Sequence, residues 1–65
     1  MYGKRIREIR KKNGLNQAEF AKKIDSTQDM VSRYEKGDID LSTAMIIKIC
    51  KTFNVSADYL LGLSD

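Results

Sequence analysis

The chain has no histidine, no proline and one cysteine, Cys50. A single thiol cannot close a disulfide within the chain. Without histidine it also makes a poor zinc site, so no structural metal is expected. No apolar run is long enough to span a bilayer and no signal-peptide pattern is present, so the sequence reads as cytosolic, with no membrane partner. Paired catalytic carboxylates, a phosphate-cradling glycine loop and a metal-ligand set are all missing. An enzyme is therefore the weakest reading, and no cofactor or small-molecule substrate is evident. What is left is one small domain, residues 1–65. A domain of this size buries only about 60% of the surface its unfolded chain exposes. Stability has to come from efficient helix packing or from a second chain.

The net charge of +3 is unevenly spread. Lys4, Arg5, Arg7, Arg10, Lys11 and Lys12 crowd the first segment against Glu8 alone, whereas from residue 13 onward six basic residues meet eight acidic ones. A basic first helix fits a polyanionic partner. A solvated helical face has the same composition, so charge alone does not choose.

No segment alternates apolar and polar residues for long enough to be a strand. Apolar spacings of three and four, punctuated by start and stop signals, predict an all-α chain of five helices. Ile6 and Ile9 mark the inner face of a first helix over about 3–13, with Gly14 suited to the left-handed position beyond it. Asn16 caps the second helix. Glu19 completes a capping box and Leu15 is placed to staple onto Phe20. Phe20, Ala21 and Ile24 face inward, and Asp25, a type that tolerates left-handed geometry, ends the helix. Thr27 caps the third helix and Gly37 ends it. Ser42 caps the fourth, whose inner face holds Ile46, Ile49, Cys50 and Phe53, with Leu41 placed to staple onto Ile46 and Asn54 as the stop. Cys50 is expected to fill core space as a small hydrophobe. Ser56 caps a short fifth helix ending at Gly62, with Val55 stapled to Leu60.

Only Asp25, Ser26 and Thr27 separate the second helix from the third. A link this short forces a steep crossing, the helix-turn-helix arrangement, with Ala21 permitting the close approach. The third helix, about 28–36, then exposes Gln28, Asp29, Ser32, Arg33 and Lys36.

"LNQAEFAKKI", "TQDMVSRYEKG" and "VSADYLLG" at this spacing resemble the Xre-type (Cro and phage-repressor-like) helix-turn-helix family, over about residues 4 to 62. The resemblance implies a compact, lambda-repressor-like domain of five helices with its helix-turn-helix at about 17–36. It further implies binding to double-stranded operator DNA, usually as a homodimer, to control transcription, most simply by repression. The sequence departs from the family at Asp25, in place of a usual glycine, at Ser26, in place of an apolar residue, and at Leu41, in place of a common proline. Asp38 and Asp40 stand in a loop where basic residues are common, and two carboxylates there oppose phosphate binding.

The candidate DNA contacts are Arg10, Gln17, Thr27, Gln28, Asp29, Ser32, Arg33 and Lys36. Gln28 suits the N6 and N7 edge of adenine, and Arg33 suits guanine O6 and N7 or else a phosphate. Asp29 could accept from a cytosine amine, but an acid in the first turn also complements the helix dipole, and that structural role is preferred. Ser32 is small enough to let the helix approach the groove. Gln17 opens the second helix, where free N–H groups suit a phosphate; the resemblance implies this contact and a brace to Gln28. It also implies an ion pair between Arg10 and Glu35. Leu60, Leu61 and Leu63 are the apolar candidates for a dimer junction, since so short a terminal helix cannot bury all three. A competing reading is a repressor-fold protein-interaction module, or an antitoxin, whose main partner is another protein.

Overall fold

The computed structural model describes residues 2–63, which form five helices. These are α1 (Tyr2–Lys12), α2 (Gln17–Lys23), α3 (Gln28–Lys36), α4 (Thr43–Phe53) and α5 (Ala57–Leu60), with no strand among the described residues. Each predicted cap is made by the expected side chain. Asn16 accepts from the Glu19 N–H at 2.8 Å while the Glu19 carboxylate accepts from the Asn16 N–H at 2.9 Å, closing the capping box. Thr27, Ser42 and Ser56 accept from the N–H groups of Met30, Met45 and Tyr59 at 3.2, 3.1 and 3.0 Å. Each such cap contributes about 1 kcal/mol by satisfying a donor that the helix cannot. The first helix begins one residue earlier than its apolar spacing suggests, a normal uncertainty at a helix end.

The turn between α2 and α3 is set by Asp25, whose φ of 55° is left-handed. Ser26 donates its N–H to the Ala21 carbonyl at 2.8 Å and Asp25 to that of Lys22 at 3.3 Å. These paired bonds close a Schellman motif, so α2 stops and the chain reverses within three residues. An aspartate fills a place that glycine would occupy without strain, and its carboxylate takes a 2.8 Å bond from Lys48 on α4. This hydrogen bond, with the charge of Lys48, holds the Asp25 carboxyl below its ordinary value.

The core gathers residues from every helix. Ile6 and Ile9 of α1, Phe20 and Ala21 of α2, Ile24 at its end, Val31 and Tyr34 of α3, Ile49 of α4 and Leu60 of α5 are buried, together with Leu41. Phe53 stacks on Phe20 with ring centroids 4.7 Å apart, tying α4 to α2. On α4 the expected inner face is only partly sealed. Ile49 is buried, whereas Ile46, Cys50 and Phe53 are half-buried against the core and Met45 packs there too. Burial pushes the Cys50 thiol up, which suits an inert space-filler.

α1 and α3 meet backbone to backbone at Gly3. A Cβ on Gly3 would sit 2.5 Å from the Tyr34 carbonyl oxygen and 2.7 Å from that of Glu35. Only glycine lets the start of α1 lie on the backbone at the end of α3. Tyr2 extends this junction by donating its hydroxyl to Asp40 at 2.8 Å. At the far side, Arg5 lies over the Tyr59 ring at 4.5 Å and the Tyr59 hydroxyl donates to Glu8 at 3.3 Å, holding α5 on α1.

Candidate nucleic-acid interface

α3 divides cleanly. Val31 and Tyr34 are buried and Met30 is half-buried, while Gln28, Asp29, Arg33 and Lys36 are exposed and Ser32 is half-buried beside them. The Gln28 side chain makes no hydrogen bond among the described residues, so its amide is free to meet a partner. Arg33 donates Nε to Asp29 Oδ2 at 2.9 Å, one turn back on the same face. Thr27 is exposed, and its hydroxyl oxygen is occupied by the cap.

Behind this face lies a node that sets the orientation of α3. Arg10 donates Nε to Glu35 Oε2 at 2.7 Å and Nη2 to Oε1 at 3.2 Å, in the two-pronged geometry that makes arginine–carboxylate pairs strong. The side chains are 13% and 8% exposed, so water scarcely screens the pair. Arg10 Nη1 also donates to the Leu15 carbonyl at 3.0 Å, which draws the α1–α2 link into the node. Local sequence explains the meeting. Arg10 follows buried Ile9 and Glu35 follows buried Tyr34, so both charges flank the helix faces that pack together.

Gln17 completes the node by donating Nε2 to Glu35 Oε1 at 3.3 Å. The expected brace between Gln17 and Gln28 is not among the hydrogen bonds of the described residues. The charged acceptor on Glu35 takes the amide N–H instead, and hydrogen bonds to ionised acceptors are the stronger ones.

Arg7, Arg10, Gln17, Ser32, Glu35 and Lys36 line an open cleft between α1, α2 and α3. Glu35 is neutralised by Arg10, which leaves Arg7 and Lys36 as uncompensated positive charge. A cleft with this balance suits an anion such as a backbone phosphate. Arg7 was not among the sequence candidates. It stands three residues before Arg10, a helical neighbour on the same face, and that spacing is the signal by which it could have been found.

The other candidates fall outside this surface. Leu60 is fully buried in the core of the single chain, so it has no surface to give a dimer. A helix of only four residues needs this one anchor to hold it on the core. Of the three leucines, Leu61 is half-buried and Leu63 is 74% exposed, and these two remain available to a second chain. In the loop after α3, Asp38 and Asp40 are both exposed, with Asp40 bound to Tyr2.

Known proteins share this architecture. Residues 6–60 match the helix-turn-helix family. Over 60 residues the chain is 42% identical to the HTH-type transcriptional regulator ImmR of Bacillus subtilis, an alignment that covers 92% of this chain and 47% of that protein. Over 62 residues it is 42% identical to antitoxin PezA of Streptococcus pneumoniae, covering 95% of this chain and 39% of the antitoxin. The chain thus spans less than half the length of these two relatives. The crystal structure of the P22 c2 repressor in complex with a synthetic operator superposes with a TM-score of 0.85 at 28% identity, over 92% of this chain and 91% of that one. With the family matched along most of its length and the same helices in the same places, the chain belongs to the Cro/C1-type helix-turn-helix family, a family of DNA-binding transcription regulators rather than a class of enzymes.

Proposed function

We propose that residues 1–65 act as one DNA-binding domain whose helix-turn-helix, 17–36, places α3 in the major groove of an operator and represses transcription. The observation that carries this reading is the free polar face of α3 standing beside a cleft with net positive charge. Gln28 and Arg33 present groups that match base edges. Arg7, Gln17 and Lys36 serve neighbouring phosphates, and Ser32 lets the helix approach. Arg10 acts from the floor of the cleft, holding Glu35 and with it the angle of α3. Thr27 caps the helix where it enters the groove.

One module offers few base contacts, so two modules bind half-sites about one helical turn apart, roughly 34–36 Å. Leu61 and Leu63 supply the junction. The test is sedimentation of the free protein, followed by titration onto duplexes recovered from a random pool and carrying one or two half-sites. The expected result is a monomer in solution and two copies on the paired site. Equal affinity for both duplexes, with one copy on each, would leave a monomeric reader.

The antitoxin relative favours a second reading, in which a repressor-like fold works chiefly through a protein partner. Salt separates the two. Phosphate contacts release counterions, so DNA affinity falls steeply with salt, whereas a partner held on apolar residues is nearly indifferent.

A further inference from the structure

The pair formed by Arg33 and Asp29 stands on the open face of α3, with side chains 53% and 72% exposed. An exposed ion pair one turn apart adds little to helix stability. It also carries a cost in function, because Asp29 brings a negative charge to the surface that meets phosphates. Two features of its geometry indicate what offsets that cost.

The first is the donor engaged. Asp29 takes Nε, on the flank of the guanidinium. Nη1 and Nη2 keep no partner among the described residues, and they form the fork that spans O6 and N7 of guanine. The second is direction. Side chains on a helix lean towards its N-terminus, and the bond to a residue four positions earlier shows that Arg33 does so. Its head is thus carried towards Gln28, at the end of the recognition helix that meets base edges in helix-turn-helix proteins. Fixing a long side chain before binding also lowers the entropy lost on contact.

We propose that Asp29 is a positioning residue for sequence reading: it holds Arg33 with its two terminal nitrogens aimed at a guanine, so that each half-site carries a G·C pair opposite Arg33. This rests on the assignment of α3 to the major groove. Asp29 therefore lowers affinity for DNA in general and raises discrimination at one base pair. An acid serving only the helix dipole has no such split effect.

The experiment measures fluorescence anisotropy with a duplex selected from random DNA by the unaltered protein, with single-pair variants of that duplex, and with a random duplex. The proteins are the parent, Asp29→Ala, Asp29→Asn, Arg33→Ala and the double variant D29A/R33A. The parent is expected to prefer one G·C pair over A·T by about tenfold, a preference that R33A abolishes. D29A loses most of that preference while binding the random duplex more tightly. D29A/R33A discriminates no worse than R33A, because both changes remove one contact. D29N, which keeps a carbonyl acceptor for Nε, retains most of the preference. D29A binding every duplex more tightly with the parent's preference intact would overturn the proposal. A parent with no sequence preference at all would overturn the assignment of α3 itself, before any variant is made.

Discussion

Arg10 grips both carboxylate oxygens of Glu35, at 2.7 and 3.2 Å, across the contact between α1 and α3. Both side chains are almost out of water, and Gln17 and the Leu15 carbonyl saturate much of what remains. The node therefore joins the basic first helix, the α1–α2 link, the start of α2 and α3 in one polar contact.

Breaking that contact from one side is expected to cost far more than removing it. Arg10→Met strands the Glu35 carboxylate and should lower stability by about 3 kcal/mol, a large share of what so small a domain has. R10M/E35L removes both charges and should recover most of the loss. Urea unfolding of the two singles and the double gives the answer. A double variant as unstable as the sum of the singles would mean that the pair is not the buried unit described.

Gly3 gives a second test, in which opposing effects differ in sign. Replacing a helical glycine by alanine ordinarily gains up to about 1 kcal/mol, and less near a helix end. Here the added Cβ meets the carbonyl oxygens of Tyr34 and Glu35, backbone atoms that cannot step aside. Overpacking should win, with a loss of about 1–3 kcal/mol. Gly3→Ala should therefore lower the melting temperature; a rise would show α1 lying further from α3.

The loop after α3 makes an electrostatic prediction. Asp38→Asn and Asp40→Asn together should tighten DNA binding at low salt and leave the preferred sequence unchanged, since neither carboxylate reads a base. Anisotropy titrations at two salt concentrations test this. Unchanged affinity would place the loop away from the DNA.

Asp40 also governs a titration. The hydrogen bond to Asp40, then desolvation and the charge of Asp40, hold the Tyr2 phenol above its ordinary value of 10.0. A folded value above the unfolded one means that this contact stabilises the fold below the unfolded value. Its contribution is lost as pH rises through the folded one. In an NMR titration of the Tyr2 ring, D40N should bring the midpoint back towards 10.0. A midpoint that stays where it was would detach Tyr2 from Asp40.

Much of this architecture is legible in the sequence because helix ends are local. Asn16, Thr27, Ser42 and Ser56 each cap the helix they precede, and Asp25 and Asn54 take left-handed geometry where the apolar pattern stops. The outer face of α3 follows from the position of Val31 and Tyr34. What escaped was set by tertiary approach. Nothing local marks Gly3 as a contact between backbones, or sends the Gln17 amide to Glu35 rather than Gln28. Leu60 was misjudged as a dimer contact although its staple position opposite Val55 pointed inward, and the structure buries it while Leu63 stays exposed. The Asp29–Arg33 pair was not anticipated, although a spacing of four on one helix permits it, and which guanidinium nitrogen it uses has no local signal.

The proposed reading of base edges by α3 is decided by competition binding. The parent and a Gln28→Ala/Arg33→Ala variant are each challenged with a selected duplex against random DNA. Each lost base contact should remove about 1–3 kcal/mol of discrimination. The double variant is therefore expected to bind both duplexes alike while remaining folded. Gln17→Ala should instead weaken binding to both equally. A Gln28→Ala/Arg33→Ala protein that kept the parent's preference for the selected duplex would show that α3 does not read the bases.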